Sequence, residues 1–136
     1  MPSIIYSLLS MGCKKIFLSN RTIEKAENIK KKFEEVEVLK WKEIPDFDIV
    51  INATSVGLKG ESLDLDFNTK DKVFYDVIYN PKETQFLKRA RENGNRIENG
   101  KLMFIYQANQ SFSIWNNVIP KIDEEALKIL EWSKLV

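Results

Sequence analysis

Four consecutive residues, Ser19-Asn20-Arg21-Thr22, with Lys25 one helical turn further on, carry the groups that would grip a phosphate. Arginine meets a phosphate with a planar fork of N–H donors, and lysine adds a point charge. At the tip of the second strand of a dinucleotide-binding fold, an acid hydrogen-bonds the ribose 2′-hydroxyl of NAD. A neutral residue beside an arginine instead accommodates the 2′-phosphate of NADP. Asn20 followed by Arg21 is the second arrangement, and Lys25 is placed to add a cation to the same phosphate. Taken alone, the stretch reads more readily as the solvated start of a charged helix. Three further segments tilt the balance.

Asn52-Ala53-Thr54-Ser55-Val56-Gly57-Leu58 follows an apolar run, where ligands of open α/β sheets sit, beyond the carboxyl ends of the strands. Its small and hydroxylated residues permit contact with a flat heterocycle, and they also suit an ordinary turn. Tyr75-Asp76-Val77-Ile78-Tyr79-Asn80-Pro81 ends a second apolar run. Asn99-Gly100-Lys101-Leu102-Met103 then opens a helix on which Met103 and Gln107, four residues apart, share a face. By periodicity alone Met103 is core filler and Gln107 a capped or solvated amide.

The elements that must position these residues alternate along the chain. Ile4, Ile5, Leu8, Leu9 and Met11 form a helical stripe that Gly12 is placed to end. Lys15 to Ser19 reads as a strand. Ile23, Ala26, Ile29 and Phe33 recur at helical spacing, with Thr22 placed to cap the first turn. Val36 to Leu39 is a short alternating strand, and Asp48 to Ala53 is apolar enough to be a central strand buried on both faces. A strand over Lys72 to Tyr79, a helix over Thr84 to Glu92 ended by Gly94, and a brief strand at Arg96 to Glu98 follow. A long helix from about Leu102 to Trp115 and an amphipathic one over Glu124 to Leu135, with Ala126, Leu127 and Leu130 on its apolar side, close the chain.

This alternation predicts an α/β fold, a Rossmann-like and mainly parallel sheet with helices on both faces. The strand and glycine-rich turn that normally begin such a unit do not precede Met1-Pro2-Ser3, so the sheet is expected to lack its first strand. One domain, residues 1–136, is expected, with closing helices from about residue 101.

Composition narrows the chemistry. The 136 residues hold 21 Lys and Arg against 20 Asp and Glu, a net charge of +1 that gives no reason to expect nucleic acid or an anionic membrane as partner. With no histidine and one cysteine, Cys13, the chain has no His-based triad, no zinc cluster and no intrachain disulfide. The start carries neither a secretory nor a transit leader, no apolar run approaches membrane-spanning length, and the expected compartment is the cytoplasm.

Taken together and in this order, Ser19 to Thr22 with Lys25, the Asn52 to Leu58 loop, Tyr75 to Pro81 with Thr84 and Leu87, and Asn99-Gly100 through Met103 to Gln107-Ala108 resemble the shikimate dehydrogenase family. The resemblance is to its C-terminal NADP-binding domain and closing helices and runs over essentially the whole chain. It implies an oxidoreductase of aromatic amino-acid biosynthesis, the NADPH-dependent reduction of 3-dehydroshikimate to shikimate. By position, Asn20, Arg21, Thr22 and Lys25 would hold the 2′-phosphoadenosine, and Thr54 and Ser55 would line the cofactor cleft. Val77 and Gly100 would meet the nicotinamide end with Met103 packed nearby, and Tyr79 and Gln107 would reach a shikimate-type substrate. Lys101 and Leu102 depart from the family pattern, which often has a leucine and a second glycine there. The catalytic lysine and aspartate of the family belong to an N-terminal substrate domain, so no catalytic residue is expected in this chain, which by itself is expected to be inactive. The resemblance further implies a separate substrate domain as partner, or a homodimer through exposed surfaces. A non-catalytic remnant of the same family and a glutamyl-tRNA reductase-like NADP domain are the alternatives.

Overall fold

The computed structural model of the protein describes residues 1–63 and 65–129. Helix α1 (Pro2–Ser10) starts with proline, whose missing N–H is harmless in a first turn. It ends at Gly12, where a φ of 85° lets the Gly12 N–H reach the Leu9 carbonyl and the Cys13 N–H the Leu8 carbonyl. These paired bonds satisfy carbonyls the helix itself leaves open.

Strand β1 (Ile16–Ser19), helix α2 (Ile23–Lys30) and strand β2 (Val36–Leu39) form the first parallel unit, with Ile16 opposite Val36 and Ser19 opposite Leu39. Alternate residues Ile16, Leu18 and Val36 bury against Ile5 of α1 and Ala26 of α2. Thr22 stands at the N-cap of α2, but its side chain makes no cap bond. The turn is ordered instead by Asn20, whose Oδ1 accepts the Thr22 N–H at 2.9 Å.

Strands β3 (Ile49–Asn52), β4 (Val73–Asp76) and β5 (Arg96–Asn99) make a second parallel sheet in the order β3-β4-β5. Helix α3 (Gln85–Glu92) lays Phe86, Leu87 and Ala90 against Phe74 and Phe67, with the latter two rings 4.6 Å apart. Gly94 and Asn95 end α3 through the same paired bonds that close α1, the Gly94 N–H donating to the Arg91 carbonyl and the Asn95 N–H to that of Ala90. The expected strand over Lys72 to Tyr79 pairs only from Val73 to Asp76, because the Asp76 carboxylate accepts the Ile78 N–H and turns the chain out of the ladder. The Asn80-Pro81 peptide that follows is cis.

Among the described residues β1 pairs only with β2, and β3 with no strand but β4. The sheet is therefore interrupted between β1 and β3, where the doubly wound order has its first strand. This interruption corrects one expectation. Ile49 is 51% exposed and Asn52 alone of β3 is buried, although Ile49, Val50 and Ile51 are all apolar. A strand with a neighbour on one side keeps its other edge in solvent.

Helices α4 (Lys101–Asn116) and α5 (Glu124–Ile129) complete the described chain. Helix α4 buries only Ile105 and exposes Phe104, Tyr106, Phe112, Ile114 and Trp115. Helix α5 covers the first part of the expected 124–135 segment, and Leu130 and Leu135 lie outside the described residues. No described helix is long and apolar enough to cross a membrane.

Candidate functional site

Asn52 and Asp76 end neighbouring strands and stand opposite each other in the register. Both are buried, so their polar atoms must find partners within the protein. Asn52 Nδ2 donates to both Asp76 oxygens at 3.2 Å and to the Val56 carbonyl at 3.1 Å. Its Oδ1 accepts the Thr54 N–H at 3.1 Å and the Thr54 hydroxyl at 2.8 Å, and Thr54 Oγ1 in turn accepts the Val56 N–H. Asp76 also accepts the Ile78 N–H at 3.0 Å and the Thr84 hydroxyl at 2.7 Å. Thr84 Oγ1 receives the Leu87 N–H and so caps α3. One amide and one carboxylate thus fix the loop after β3, the turn after β4 and the start of α3.

Two glycines let this edge close. Gly57, at φ 114°, lies against Thr84, whose Cγ2 would be 3.2 Å from an added Cβ. Gly100 starts α4 directly over the chain leaving β4, and an added Cβ would fall 2.0 Å from the Val77 carbonyl oxygen. Its N–H donates to the Ile78 carbonyl at 3.2 Å, and its own carbonyl accepts the Phe104 N–H at 2.9 Å. One turn into the helix, Phe104 stacks on Tyr79 with centroids 4.6 Å apart and planes at 24°. In the loop after β3, Glu61 accepts the N–H groups of Lys59 at 2.9 Å and Gly57 at 3.2 Å. The bond from Lys59, then that from its own backbone, hold the Glu61 carboxyl below the usual carboxylate range.

At the tip of β1, Asn20 is half-buried, whereas Arg21, Thr22 and Lys25 are exposed, and neither cation has an ion-pair partner among the described residues. Two unpaired cations beside an asparagine, with no acid at the strand tip itself, suit a phosphate-bearing ribose.

The expected residues fall into two groups. Asn20, Arg21, Thr22 and Lys25 lie at the carboxyl end of the two-stranded sheet, and Thr54, Ser55, Val77, Tyr79, Gly100, Met103 and Gln107 lie at that of the three-stranded sheet and on α4. Thr54 is half-buried with its hydroxyl committed to Asn52 and Val56, while Ser55 is exposed. Val77 and Gly100 meet directly, and Met103 and Gln107 are exposed on α4, so Met103 is not core filler. Sequence reasoning missed Asp76 as the hub and Phe104 as the ring under Tyr79. The signal for the hub was an apolar strand ending in Asn beside one ending in Asp, which a parallel register sets opposite each other.

Parallel strands with intervening helices and a ligand-ready carboxyl edge define a Rossmann-like, dinucleotide-binding class of fold. Residues 2–59 match the family model for shikimate / quinate 5-dehydrogenase. The shikimate dehydrogenase (NADP(+)) of Pelagibacter ubique is 51% identical over 132 residues, 95% of this chain and 50% of that protein. The crystal structure of a chorismate mutase/shikimate 5-dehydrogenase fusion protein from Clostridium acetobutylicum superposes with a TM-score of 0.80 at 35% identity, over 96% of this chain and 50% of that one. A shikimate dehydrogenase in complex with NADP+ has a TM-score of 0.70 at 34% identity, over 90% of this chain and 47% of that one. Over nearly its whole length the chain is thus similar to shikimate dehydrogenases. It spans about half the length of the curated relatives it matches.

Proposed function

We propose that this chain is the NADP-binding half of a cytoplasmic shikimate dehydrogenase, acting in the reduction of 3-dehydroshikimate to shikimate. The observation that carries the reading is the unpaired Arg21 and Lys25 beside Asn20 at a strand tip without an acid. Asn20, Arg21, Thr22 and Lys25 hold the 2′-phosphoadenosine. Thr54 and Ser55 line the cleft, and Val77, Gly100 and Met103 border its nicotinamide end. Tyr79, steadied by Phe104, and Gln107 face the substrate.

Bound NADPH supplies the hydride for the ketone carbon. The residues of this chain bind and orient: Gly100 brings α4 against Val77, and the Asn52-Asp76-Thr84 network sets the height of both loops. The alkoxide left by hydride transfer needs a proton from a group within hydrogen-bond reach. That group comes from a substrate domain, which we assign as the partner of this chain. The open edges of β1 and β3 and the exposed α4 face, where Trp115 is 81% accessible, support a partner or a second copy there.

The test is NADPH-linked reduction of 3-dehydroshikimate by residues 1–136, with and without a separately expressed substrate domain of the family. No turnover alone and turnover on mixing is the expected result. No turnover after a complex has formed would overturn the catalytic reading and favour a remnant that binds without reacting.

A further inference from the structure

Lys40 follows β2 as Asn20 follows β1, and the pairing of Ser19 with Leu39 sets these two positions side by side at the carboxyl edge. Neighbouring strands lie about 4.8 Å apart. The edge is tied at this point: Ser19 Oγ donates to the Lys40 carbonyl at 3.0 Å, and the Glu43 N–H donates to the same oxygen at 3.0 Å. The Lys40 N–H is engaged as well, by Glu43 Oε2 at 3.2 Å. The backbone of Lys40 is thus held from both sides, while its exposed ammonium has no ion-pair partner among the described residues. Val36 and Val38 turn toward the cluster that α2 covers. Continued one residue past the end of β2, the same alternation would put position 40 on that face, where α2 opens.

Charge decides what such a lysine is for. Arg21 and Lys25 flank Glu24 in the opening turn of α2, leaving one net positive charge, and Lys40 offsets the Glu43 carboxylate that its own N–H holds, so that charge is kept at this edge. A phosphate monoester carries about −1.5 to −2 at neutral pH. We infer that Lys40 is a further cation of the 2′-phosphate subsite, working with Arg21 and Lys25 to set preference for NADP over NAD. The inference rests on the nucleotide reading above and adds a residue from a strand that carries none of the family motifs.

The test is calorimetry at low salt with adenosine 2′,5′-bisphosphate and with 5′-AMP, probes that need neither a pyrophosphate loop nor a substrate domain. The variants are Lys40→Gln, Arg21→Gln and, as a control at the opposite edge of the same sheet, Lys14→Gln. Lys40→Gln should weaken the bisphosphate about threefold to fivefold, as expected of one solvent-exposed charge pair. It should leave 5′-AMP unchanged and flatten the salt dependence, and Lys14→Gln should do neither. If Arg21→Gln abolishes the bisphosphate preference while Lys40→Gln behaves like the control, the role of Lys40 is refuted and the nucleotide reading stands. If the unmodified chain does not favour the bisphosphate over 5′-AMP, the nucleotide reading fails and takes this inference with it. Far-ultraviolet circular dichroism matching the parent confirms that each variant is folded.

Discussion

Replacing Gly100 with alanine adds one methyl group where two stretches of backbone touch. The new Cβ would stand 2.0 Å from the Val77 carbonyl oxygen, 2.5 Å from its carbon and 3.1 Å from its Cα. Carbon and oxygen in ordinary contact stay about 3.3 Å apart or more, so α4 and the chain after β4 must separate by more than ~1 Å. The backbone at this position, φ −74° and ψ 4°, is open to alanine, so the cost is steric. Overpacking costs about 1–3 kcal/mol and the lost bond to the Ile78 carbonyl about 1 more, giving roughly 2–4 kcal/mol. Gly60→Ala is the internal comparison: nothing lies within 4 Å of an added Cβ, but φ is 82°. Its cost should be only about 1–2 kcal/mol, from the left-handed conformation. Urea unfolding of both variants, with an aromatic probe of the Tyr79-Phe104 stack, tests the order. If Gly100→Ala costs less than Gly60→Ala and leaves the stack intact, the close approach is not what requires glycine there.

Three further outcomes follow from the site. Thr84→Val keeps the side-chain shape but removes a donor to Asp76 and the cap of α3, so urea unfolding should show a loss of about 2–3 kcal/mol, and a change under 0.5 would refute the hub (~ by comparison with ordinary surface substitutions). Arg21→Ala should lower affinity for NADP, measured by calorimetry, and leave that for NAD unchanged; an equal effect on both would refute its assignment to the 2′-phosphate. Glu61 has a lowered carboxyl pKa in the folded chain, so its bonds to Lys59 and Gly57 stabilise the loop above the unfolded carboxylate range and are lost as pH falls through the folded value. Hydrogen exchange of these two amides should therefore quicken in acid relative to neighbouring exposed amides, and Glu61→Gln should remove that acid-dependent step.

Most of the architecture was legible because its signals are local. Gly12 and Gly94 sit one residue past their helix caps, and the continuous β-formers in β1 and β4 bound their strands. Even the interruption between β1 and β3 could be anticipated, since the motif order identifies the strand that would fill it. What could not be read depends on pairs distant in sequence. Asp76 looks like an ordinary polar end of a strand until the register sets it against Asn52, and Thr84 reads only as a helix cap until its hydroxyl is found on Asp76. Gly100 reads as a helix start, yet what it must clear is the carbonyl of Val77. Ile49 misled because apolar character records burial in a filled sheet, and among the described residues β3 has a strand on one side only.

The interruption of the sheet also divides the hydrophobic interior. One cluster, around Ile5, Leu18 and Val36, belongs to the β1-β2 unit, and the other, around Phe67, Phe74 and Leu87, to the β3-β5 unit. No strand ladder runs between them among the described residues. Cooperativity in unfolding comes from shared contacts, and units that share few of them open separately. The two halves should therefore melt as independent foldons, visible as two calorimetric transitions. A strand laid between β1 and β3 would hydrogen-bond to both halves and merge those transitions into one, making the middle of the sheet the place where the whole chain acquires a single stability.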